Sequence, residues 1–309
     1  MPKDLRIIYM GTPDFAVPSL KILVKNSYNV VAVVTAPDKP AGRGLKLKAS
    51  PVKEYAESEN IPVLQPVSLK DPAFLEELKS YNANLQIVVA FRMLPESVWN
   101  MPELGTFNLH ASLLPQYRGA APINWAIING ETETGITTFF LKHEIDTGDI
   151  IFQEKEPIYT EDNFETLYGR LMNLGAELVL NTVHAIKNDA IVPKPQVMSQ
   201  ELKPAPKISK ETGKIDWSKP SADILNLIRG LSPIPSAWTI LNDKVLKIYK
   251  ASIVNSINVE NPEQKSFLCD NKTYLYFRTG NGYLSLEEIQ LEGKKRMMID
   301  EFLRGYKPC

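Results

Sequence analysis

The sequence predicts an α/β protein in two parts: a doubly wound parallel sheet followed by a small β-barrel. Three observations carry this prediction. The first half alternates short β-branched runs with amphipathic helical patterns, and about the last hundred residues contain short alternating segments separated by turns. The length of 309 residues also exceeds what one compact core usually encloses. Two domains are therefore expected.

Strands and helices alternate along the first half of the chain. The predicted strands cover residues 6–10, 30–34, 85–90, 106–110, 136–142 and 150–157. Asp14 opens the first helix, and Ser50 and Asp71 each precede a proline at a first helical position, the pattern of a capped helix start. A long amphipathic helix over 164–186 closes this part. Such alternation implies a parallel sheet with helices on both faces.

The chain changes character at a proline-rich stretch that predicts an extended linker. We place the first domain at 1–190, the linker at 191–206 and the second domain at 207–309. One helical pattern and five short alternating segments follow, which is typical of a small barrel. They cover 221–229 and then 237–241, 245–249, 266–268, 274–278 and 283–291.

Composition excludes several classes of protein. Hydrophobic residues at 44% and charged residues at 23% match soluble globular chains and argue against a disordered or fibrous protein. The apolar runs fall far below the ~20 residues of a membrane span, and the first residues show no signal-peptide pattern, so we expect a cytoplasmic location. Three histidines and two cysteines show no metal-site spacing, and no metal is expected.

Charge is unevenly distributed along the chain. Residues 201–309 carry a surplus of four positive charges, whereas residues 1–200 carry a surplus of five negative charges. A basic C-terminal third favours contact with an anionic partner, although four charges are also common on ordinary surfaces. Both interpretations stay open on charge alone.

Gly11 follows the first strand, where a nucleotide-binding fold carries its phosphate loop. The dinucleotide fingerprint G-x-G-x-x-G needs three glycines, and only Gly11 is present. We interpret Gly11 as a tight turn between strand and helix.

Asn108 and His110 stand near the carboxyl end of the strand predicted at 106–110. Residues two apart in a strand share a face, and open α/β sheets bind ligands at the carboxyl ends of their strands. An amide beside an imidazole suits stabilising an oxyanion and moving a proton. Spacing alone favours the plainer alternative, in which His110 is a hydrogen-bonded core histidine and Asn108 caps a loop.

A second polar segment, Asp146-Thr147-Gly148-Asp149, lies in a turn between two predicted strands. Asp146 could orient His110 and raise its proton affinity, as the acidic member of a triad does. The segment alone is a weak signal, because turns favour Asp and Gly for backbone reasons. Glu144 and Asp149 are expected to be solvated loop charges.

These residues belong to a set of five motifs: Asn108-Leu109-His110, Ser112-Leu113-Leu114-Pro115, Arg118-Gly119-Ala120-Ala121-Pro122, Thr134-Gly135-Ile136-Thr137 and Asp146-Thr147-Gly148-Asp149. In order and spacing, the set resembles the motifs of the folate-dependent formyltransferases. The resemblance implies a Rossmann-like catalytic domain, an OB-like barrel, and a formyl group donated by 10-formyltetrahydrofolate. It also implies Asn108, His110 and Asp146 as catalytic residues that stabilise an oxyanion and move a proton.

The same resemblance implies a folate pocket. Its walls would come from Ser112, Leu113, Leu114 and Pro115, and from Phe91, Met93 and Leu94 after the strand at 85–90. Members of the family usually carry an aromatic-Gly pair here. This chain reads Ala-Phe-Arg-Met-Leu-Pro over 90–95, which is one residue shorter and lacks the glycine.

The acceptor is indicated by two further features. A Gly/Pro-rich loop over 37–53 carries five cations and one anion, and its P-A-G-R-G element resembles the insertion of family members that formylate methionyl initiator tRNA. The C-terminal motifs around Trp217, Trp238 and Arg296 resemble the tRNA-binding barrel of the same members. The tRNA contacts implied are Arg43, Lys39, Lys46 and Lys48.

Two alternatives remain for function. The first is a formyltransferase acting on an amino-sugar nucleotide, and the second is a catalytically idle RNA-binding protein. No obligate protein partner is evident from the sequence.

Overall fold

The computed structural model describes residues 3–41, 46–197, 201–254 and 266–308. Its contacts divide the chain into two compact units. The first unit takes the described residues of Met1–Gly119, Thr134–Glu156 and Tyr168–Lys203, and the second those of Ala120–Glu133, Pro157–Leu167 and Pro204–Cys309. The second unit therefore draws on three stretches of chain, whereas the domain boundaries drawn from sequence, 1–190, 191–206 and 207–309, stay a prediction.

Strands and helices alternate in the first part of the chain, as predicted. The strands are β1 (Arg6–Gly11), β2 (Asn29–Val34), β3 (Lys39–Ala41), β4 (Lys46–Lys48), β5 (Val63–Leu64), β6 (Leu85–Val89), β7 (Thr106–His110), β8 (Glu133–Phe140) and β9 (Ile150–Pro157). The helices are α1 (Val17–Lys25), α2 (Pro51–Ser58), α3 (Pro72–Ser80), α4 (Glu96–Trp99), α5 (Pro122–Ile128) and α6 (Phe164–Lys187).

Within the described residues, seven of these strands form one sheet in the order β5-β2-β1-β6-β7-β8-β9. β1 pairs in parallel with β2 and β6, β6 pairs in parallel with β7, and β8 runs antiparallel to β7. The doubly wound α/β class is confirmed. The carboxyl ends of β1, β6 and β7 meet at one edge of this sheet, and the loops that follow them are brought together there.

Local chemistry explains the helix starts. The Ser50 hydroxyl accepts the backbone N–H of Lys53 at 3.1 Å, and the Asp71 carboxylate accepts that of Ala73 at 3.1 Å, so both predicted caps are confirmed. A Cβ on Gly11 would lie 2.6 Å from the Cβ of Ala16. Gly11 therefore serves the close approach of strand and helix.

The later elements build a curled antiparallel half-barrel. They are α7 (Ser221–Leu231), β10 (Ala237–Leu241), β11 (Lys244–Ile253), β12 (Phe267–Cys269), β13 (Leu275–Arg278), β14 (Tyr283–Leu291), β15 (Met297–Met298) and α8 (Ile299–Gly305). The strand order is β10-β11-β14-β13-β12, with β15 on β14. Ile224 and Ile228 of α7 pack in its core with Leu246 and Leu284.

In this unit α5 packs closely on α7. Asn124 Nδ2 donates to the carbonyl of Gly230 at 2.7 Å, and a Cβ on Gly230 would lie 2.6 Å from a side-chain carbon of Ile128. Across the ranges that the structure covers, no helix is both long enough and apolar enough to span a membrane.

Candidate active site

Strand β7 presents Asn108 and His110 on one face of the sheet. Its alternate residues, Phe107 and Leu109, are buried, and a Cβ on Gly175 of α6 would lie 2.7 Å from the Leu109 side chain. Helix α6 therefore covers the Leu109 face, and the pleat turns Asn108 and His110 to the opposite face.

The His110 ring is held by a backbone carbonyl. Its Nε2 donates to the Tyr117 carbonyl at 2.9 Å, and the ring is 7% exposed. Because a carbonyl only accepts, this bond requires the proton on Nε2. The other ring nitrogen, Nδ1, lies 3.8 Å from Oδ2 of Asp146. This separation is too long for a hydrogen bond. The two side chains form an ion pair when Nδ1 is also protonated.

The Asp146 carboxylate is fixed by a backbone donor. Its Oδ2 accepts the N–H of Gly119 at 2.9 Å, and its side chain is 11% exposed. Asp146 has a φ of 55°, and Gly119 has a φ of 125°. A left-handed backbone at a non-glycine residue costs free energy, so the surrounding contacts must hold the turn in this form.

The Asp146 turn folds back tightly on the end of β8. The Phe140 N–H donates to the carbonyl of Asp149 at 3.0 Å, and Lys142 pairs with the Asp149 carboxylate at 2.8 Å. Asp149, expected to be a solvated charge, is thus ion-paired. A Cβ on Gly148 would lie 1.5 Å from the carbonyl oxygen of Phe140. Only glycine fits this position, so the Gly of the motif is required by packing.

The side-chain oxygen of Asn108 is buried and has no hydrogen-bond partner among the residues that the structure describes. A buried acceptor without a partner is costly in a folded protein. Its position on the His110 face makes it available to a donor that binds there.

The segment after His110 is held by a hydrogen-bond network centred on Thr137. The Thr137 hydroxyl donates to the carbonyl of Ser112 at 2.7 Å and accepts the N–H of Leu114 at 3.2 Å. Gln153 Nε2 donates both to that hydroxyl at 3.0 Å and to the Leu114 carbonyl at 2.8 Å. The Ser112 hydroxyl donates to the Gln116 carbonyl at 2.6 Å, so it is engaged in shaping the loop.

The expected folate-contact residues take different positions. Leu114 is buried, whereas Leu113 and Pro115 are half-buried. Met93 is 76% exposed, Phe91 is half-buried, and Leu94 is 9% exposed in the hydrophobic core with Met10 and Val98. The structure thus brings Leu94 into the core, and its contact with folate stays a prediction.

The basic segment expected to be a loop contains a β-hairpin. Lys39 of β3 lies directly opposite Lys48 of β4, and both are exposed. Like charges directly opposite each other repel one another. Arg43 lies outside the described residues, and so does the side chain of Lys46.

Lys53 anchors the base of this hairpin. It pairs with Asp38 at 2.7 Å, and Gln65 donates to the same carboxylate at 2.7 Å. These two bonds lower the pKa of Asp38. Lys53 is therefore a structural cation, unlike Lys39 and Lys48.

Sequence reasoning missed several residues that build the site. Gly119 and Thr137 stood in the quoted motifs without a role, and Tyr117 acts through its carbonyl, which leaves no mark in the sequence. Gln153 and Gln196 lay in no motif. Gln196 contacts Arg118 and the Asp146 turn.

Comparison with protein-family models identifies the class of protein to which this fold and these side chains belong. The model of the family described as Formyl transferase matches residues 5–183, and that of its C-terminal domain matches residues 207–307. This chain belongs to the formyl transferase family.

Its relatives include proteins named for one acceptor. It is 59% identical over 315 residues to methionyl-tRNA formyltransferase of Phocaeicola vulgatus, covering 99% of this chain and 97% of that protein. It is 56% identical over 311 residues to methionyl-tRNA formyltransferase of Bacteroides thetaiotaomicron, covering 99% and 97%.

Solved structures share the fold at lower identity. A sugar 3N-formyl transferase, WlaRD, solved with dTDP and 5-N-formyl-THF, superposes with a TM-score of 0.69 at 22% identity, covering 95% of this chain and 100% of that one. HypX from Aquifex aeolicus in complex with tetrahydrofolic acid gives 0.63 at 19% identity, covering 99% and 48%.

Proposed function

We propose that this protein transfers the formyl group of 10-formyltetrahydrofolate to the α-amine of methionine on initiator tRNA. Relatives that carry this name match almost the full chain at 56% and 59% identity. The observation that carries the chemistry is the approach of His110 Nδ1 to Asp146 Oδ2, 3.8 Å apart, on the face of β7 that also bears Asn108.

The oxyanion is the first charge that the site must stabilise. The neutral amine attacks the formyl carbon, which becomes tetrahedral and carries a negative oxygen. Asn108 Nδ2 and His110 Nδ1–H donate to that oxygen. Nδ1 is the ring atom assigned to this task, because Nε2 is engaged by Tyr117. The Asn108 carbonyl oxygen can accept an N–H of the attacking amine.

Protons must then move for the intermediate to collapse. The bond from the formyl carbon to N10 breaks, and the proton that the amine loses ends on N10 of the departing tetrahydrofolate. Asp146, whose negative charge stabilises protonated His110, accepts this proton from the amine, directly or through water, and passes it on to N10. The Gly119 N–H holds the carboxylate for both tasks.

Two basic surfaces support an RNA acceptor. On β3 and β4, Lys39 and Lys48 face solvent at paired positions. In the second unit, Lys210 and Lys214 lie over the Trp238 ring, at 5.7 Å and 6.0 Å from its centre. Cations beside an aromatic ring suit phosphates and stacked bases. We also propose a cytoplasmic location, because the proposed acceptor is charged tRNA.

The test is transfer of labelled formyl to methionine-charged initiator tRNA, with uncharged tRNA and a dTDP-amino sugar as parallel acceptors. We expect transfer to charged tRNA alone. The affinity of the protein for tRNA should fall steeply as the salt concentration rises, because phosphate contacts release counterions. Transfer to the amino sugar and not to tRNA would overturn the acceptor. Binding of tRNA without transfer to either acceptor would mean that the protein is a catalytically idle RNA-binding protein.

The hairpin contacts are tested separately. Lys39→Ala and Lys48→Ala should each weaken tRNA binding and reduce its salt dependence by about one counterion, with folate binding unchanged. Equal losses for both substrates would mean that the hairpin is structural.

A further inference from the structure

We infer that Gln196 is a positioning residue of the formyl transfer centre and acts by holding the turn that carries Asp146. This inference rests on the proposed role of Asp146. Gln196 lies beyond the end of α6, in the stretch that the sequence predicted to be a linker.

One amide group of Gln196 joins both ends of the turn. Its Nε2 donates to the carbonyl of Asp146 at 2.8 Å and to the carbonyl of Gly148 at 2.9 Å. A side-chain amide has two N–H donors, and both are used here. The bonds connect the residues on either side of Thr147 and fix the turn at its backbone.

Arg118 determines which way the amide points. Gln196 Oε1 accepts from Arg118 Nη2 at 2.6 Å and from Nε at 3.2 Å. A guanidinium only donates and a carbonyl only accepts, so the reversed amide would lose every one of these bonds. The hydrogen-bond partners therefore require this orientation of Gln196.

The contacts close a ring around Asp146. Arg118 donates to Gln196, and Gln196 donates to the backbone carbonyl of Asp146. Gly119, the residue after Arg118, donates to the Asp146 carboxylate at 2.9 Å. Arg118 thus fixes the Asp146 backbone through Gln196, and Gly119 fixes the Asp146 side chain directly. The left-handed φ of 55° at Asp146 is the conformation that such a ring is needed to hold.

Loss of the ring should affect the chemical step more than binding. The separation of 3.8 Å between His110 and Asp146 depends on where the turn lies. A misplacement of about 1 Å at a reacting centre can cost roughly 100-fold in rate. The side-chain bonds of Gln196 go to Arg118 and to the Asp146 turn. Its substitution should therefore lower kcat and leave the KM for tRNA nearly unchanged.

The chain offers a control in Asn84, a side-chain amide just before β6 that also joins two backbone groups. Its Nδ2 donates to the Asp4 carbonyl at 2.7 Å, and its Oδ1 accepts the Arg6 N–H at 2.9 Å. These bonds reach neither the Asp146 turn nor the loop after His110. Asn84→Leu therefore removes a comparable amide away from the site.

The experiment is a double-mutant cycle on the full chain, measuring kcat and KM for formyl transfer and the temperature of unfolding. We expect Gln196→Met to lower kcat by about 10- to 100-fold, with KM within about twofold, and Asn84→Leu to keep kcat near wild type. In the Asp146→Asn background, Gln196→Met should add less than about threefold, because coupled residues are not additive.

A second variant keeps the test independent of side-chain packing. Gln196→Glu can still accept from Arg118 but offers no donor to the two carbonyls, so it should be as impaired as Gln196→Met. Wild-type kcat in both Gln196 variants, or a full additional loss in the Asp146→Asn background, would overturn the inference. Wild-type turnover in Asp146→Asn itself would instead overturn the proposed role of Asp146, and the two failures are thereby distinguished.

Discussion

The Nε2–H of His110 donates to the backbone carbonyl of Tyr117 at 2.9 Å, and this bond assigns the two edges of the imidazole. One edge is used to orient the ring. The other edge, at Nδ1, faces the Asp146 carboxylate and is the edge from which a proton can be offered to a substrate oxygen. A buried histidine is often only a satisfied core residue; here a carboxylate beside its second nitrogen supports a role in catalysis.

Asn108→Ala removes one proposed donor to the oxyanion. We expect kcat to fall by about 10²- to 10³-fold with the temperature of unfolding nearly unchanged, because Asn108 Oδ1 makes no hydrogen bond among the described residues. The control is Asn26→Ala at the exposed C-terminus of α1, where Nδ2 donates to the Ile22 carbonyl. If both variants kept wild-type turnover, the amide would have no catalytic part.

Gly148→Ala tests the packing of the Asp146 turn. The added Cβ would lie 1.5 Å from the carbonyl oxygen of Phe140, so the turn must move and Asp146 with it. We expect about a 100-fold or greater loss of kcat. Gly169→Ala in α6 is the matched control, since its Cβ would meet nothing within 4 Å. That variant should keep its activity and gain about 0.5–1 kcal/mol of stability from helix propensity.

Thr137→Val removes the hydroxyl that joins Ser112, Leu114 and Gln153. We expect the KM for the folate donor to rise several-fold, because the proposed folate loop loses three hydrogen bonds that shape it.

Thr138→Val is its control on the other face of β8. The Thr138 hydroxyl bonds to that of Thr182 at 2.9 Å, on the side covered by α6. Thermal unfolding should show a stability loss for Thr138→Val, and steady-state kinetics should show an unchanged KM for the folate donor. Equal KM values in the two variants would separate Thr137 from folate binding.

Asp270 should make the stability of the second unit depend on acid pH. Burial opposes its ionisation, but bonds from the Thr273 side chain and from the N–H groups of Thr273, Lys272 and Tyr274 outweigh it and hold the pKa of Asp270 well below its usual range. A lowered pKa stabilises the fold above the unfolded value of about 3.9, and this contribution is lost as the pH falls below it.

Asp270→Asn should therefore lower the free energy of unfolding by roughly 1 kcal/mol at pH 7. Urea titrations at several pH values would measure the difference from wild type, which should shrink as the pH falls below about 4. A difference that stayed constant as the pH fell well below about 4 would rule out the charged form as the stabilising one.

Periodicity and capping patterns were sufficient to predict most of the fold. The strand at 106–110 and the caps at Ser50 and Asp71 were placed correctly because their signals are local. The hairpin of β3 and β4 was expected to be a loop, because the Gly and Pro residues of this segment are typical of loops and its two strands are short. Helices α5 and α8 were missed as well. Helix α5 belongs to the second unit, a grouping set by contacts distant in sequence.

The residues of the site that act through their side chains could be predicted from the sequence. Asn108, His110 and Asp146 were predicted from residue type and motif, and the structure brings His110 Nδ1 to 3.8 Å from Asp146 Oδ2. Their catalytic roles stay a prediction. The groups that orient them act through backbone atoms, as Tyr117 and Gly119 do, or from a distant segment, as Gln196 does. Such partners are chosen by tertiary geometry, which no local pattern encodes.

The most direct test of the transfer centre is the single-turnover rate of formyl transfer by His110→Ala, with both substrates saturating and the fold verified by circular dichroism. We expect a loss of about 10²- to 10³-fold with tRNA affinity retained. A folded His110→Ala protein that transfers formyl at close to the wild-type rate would contradict the proposed role of His110.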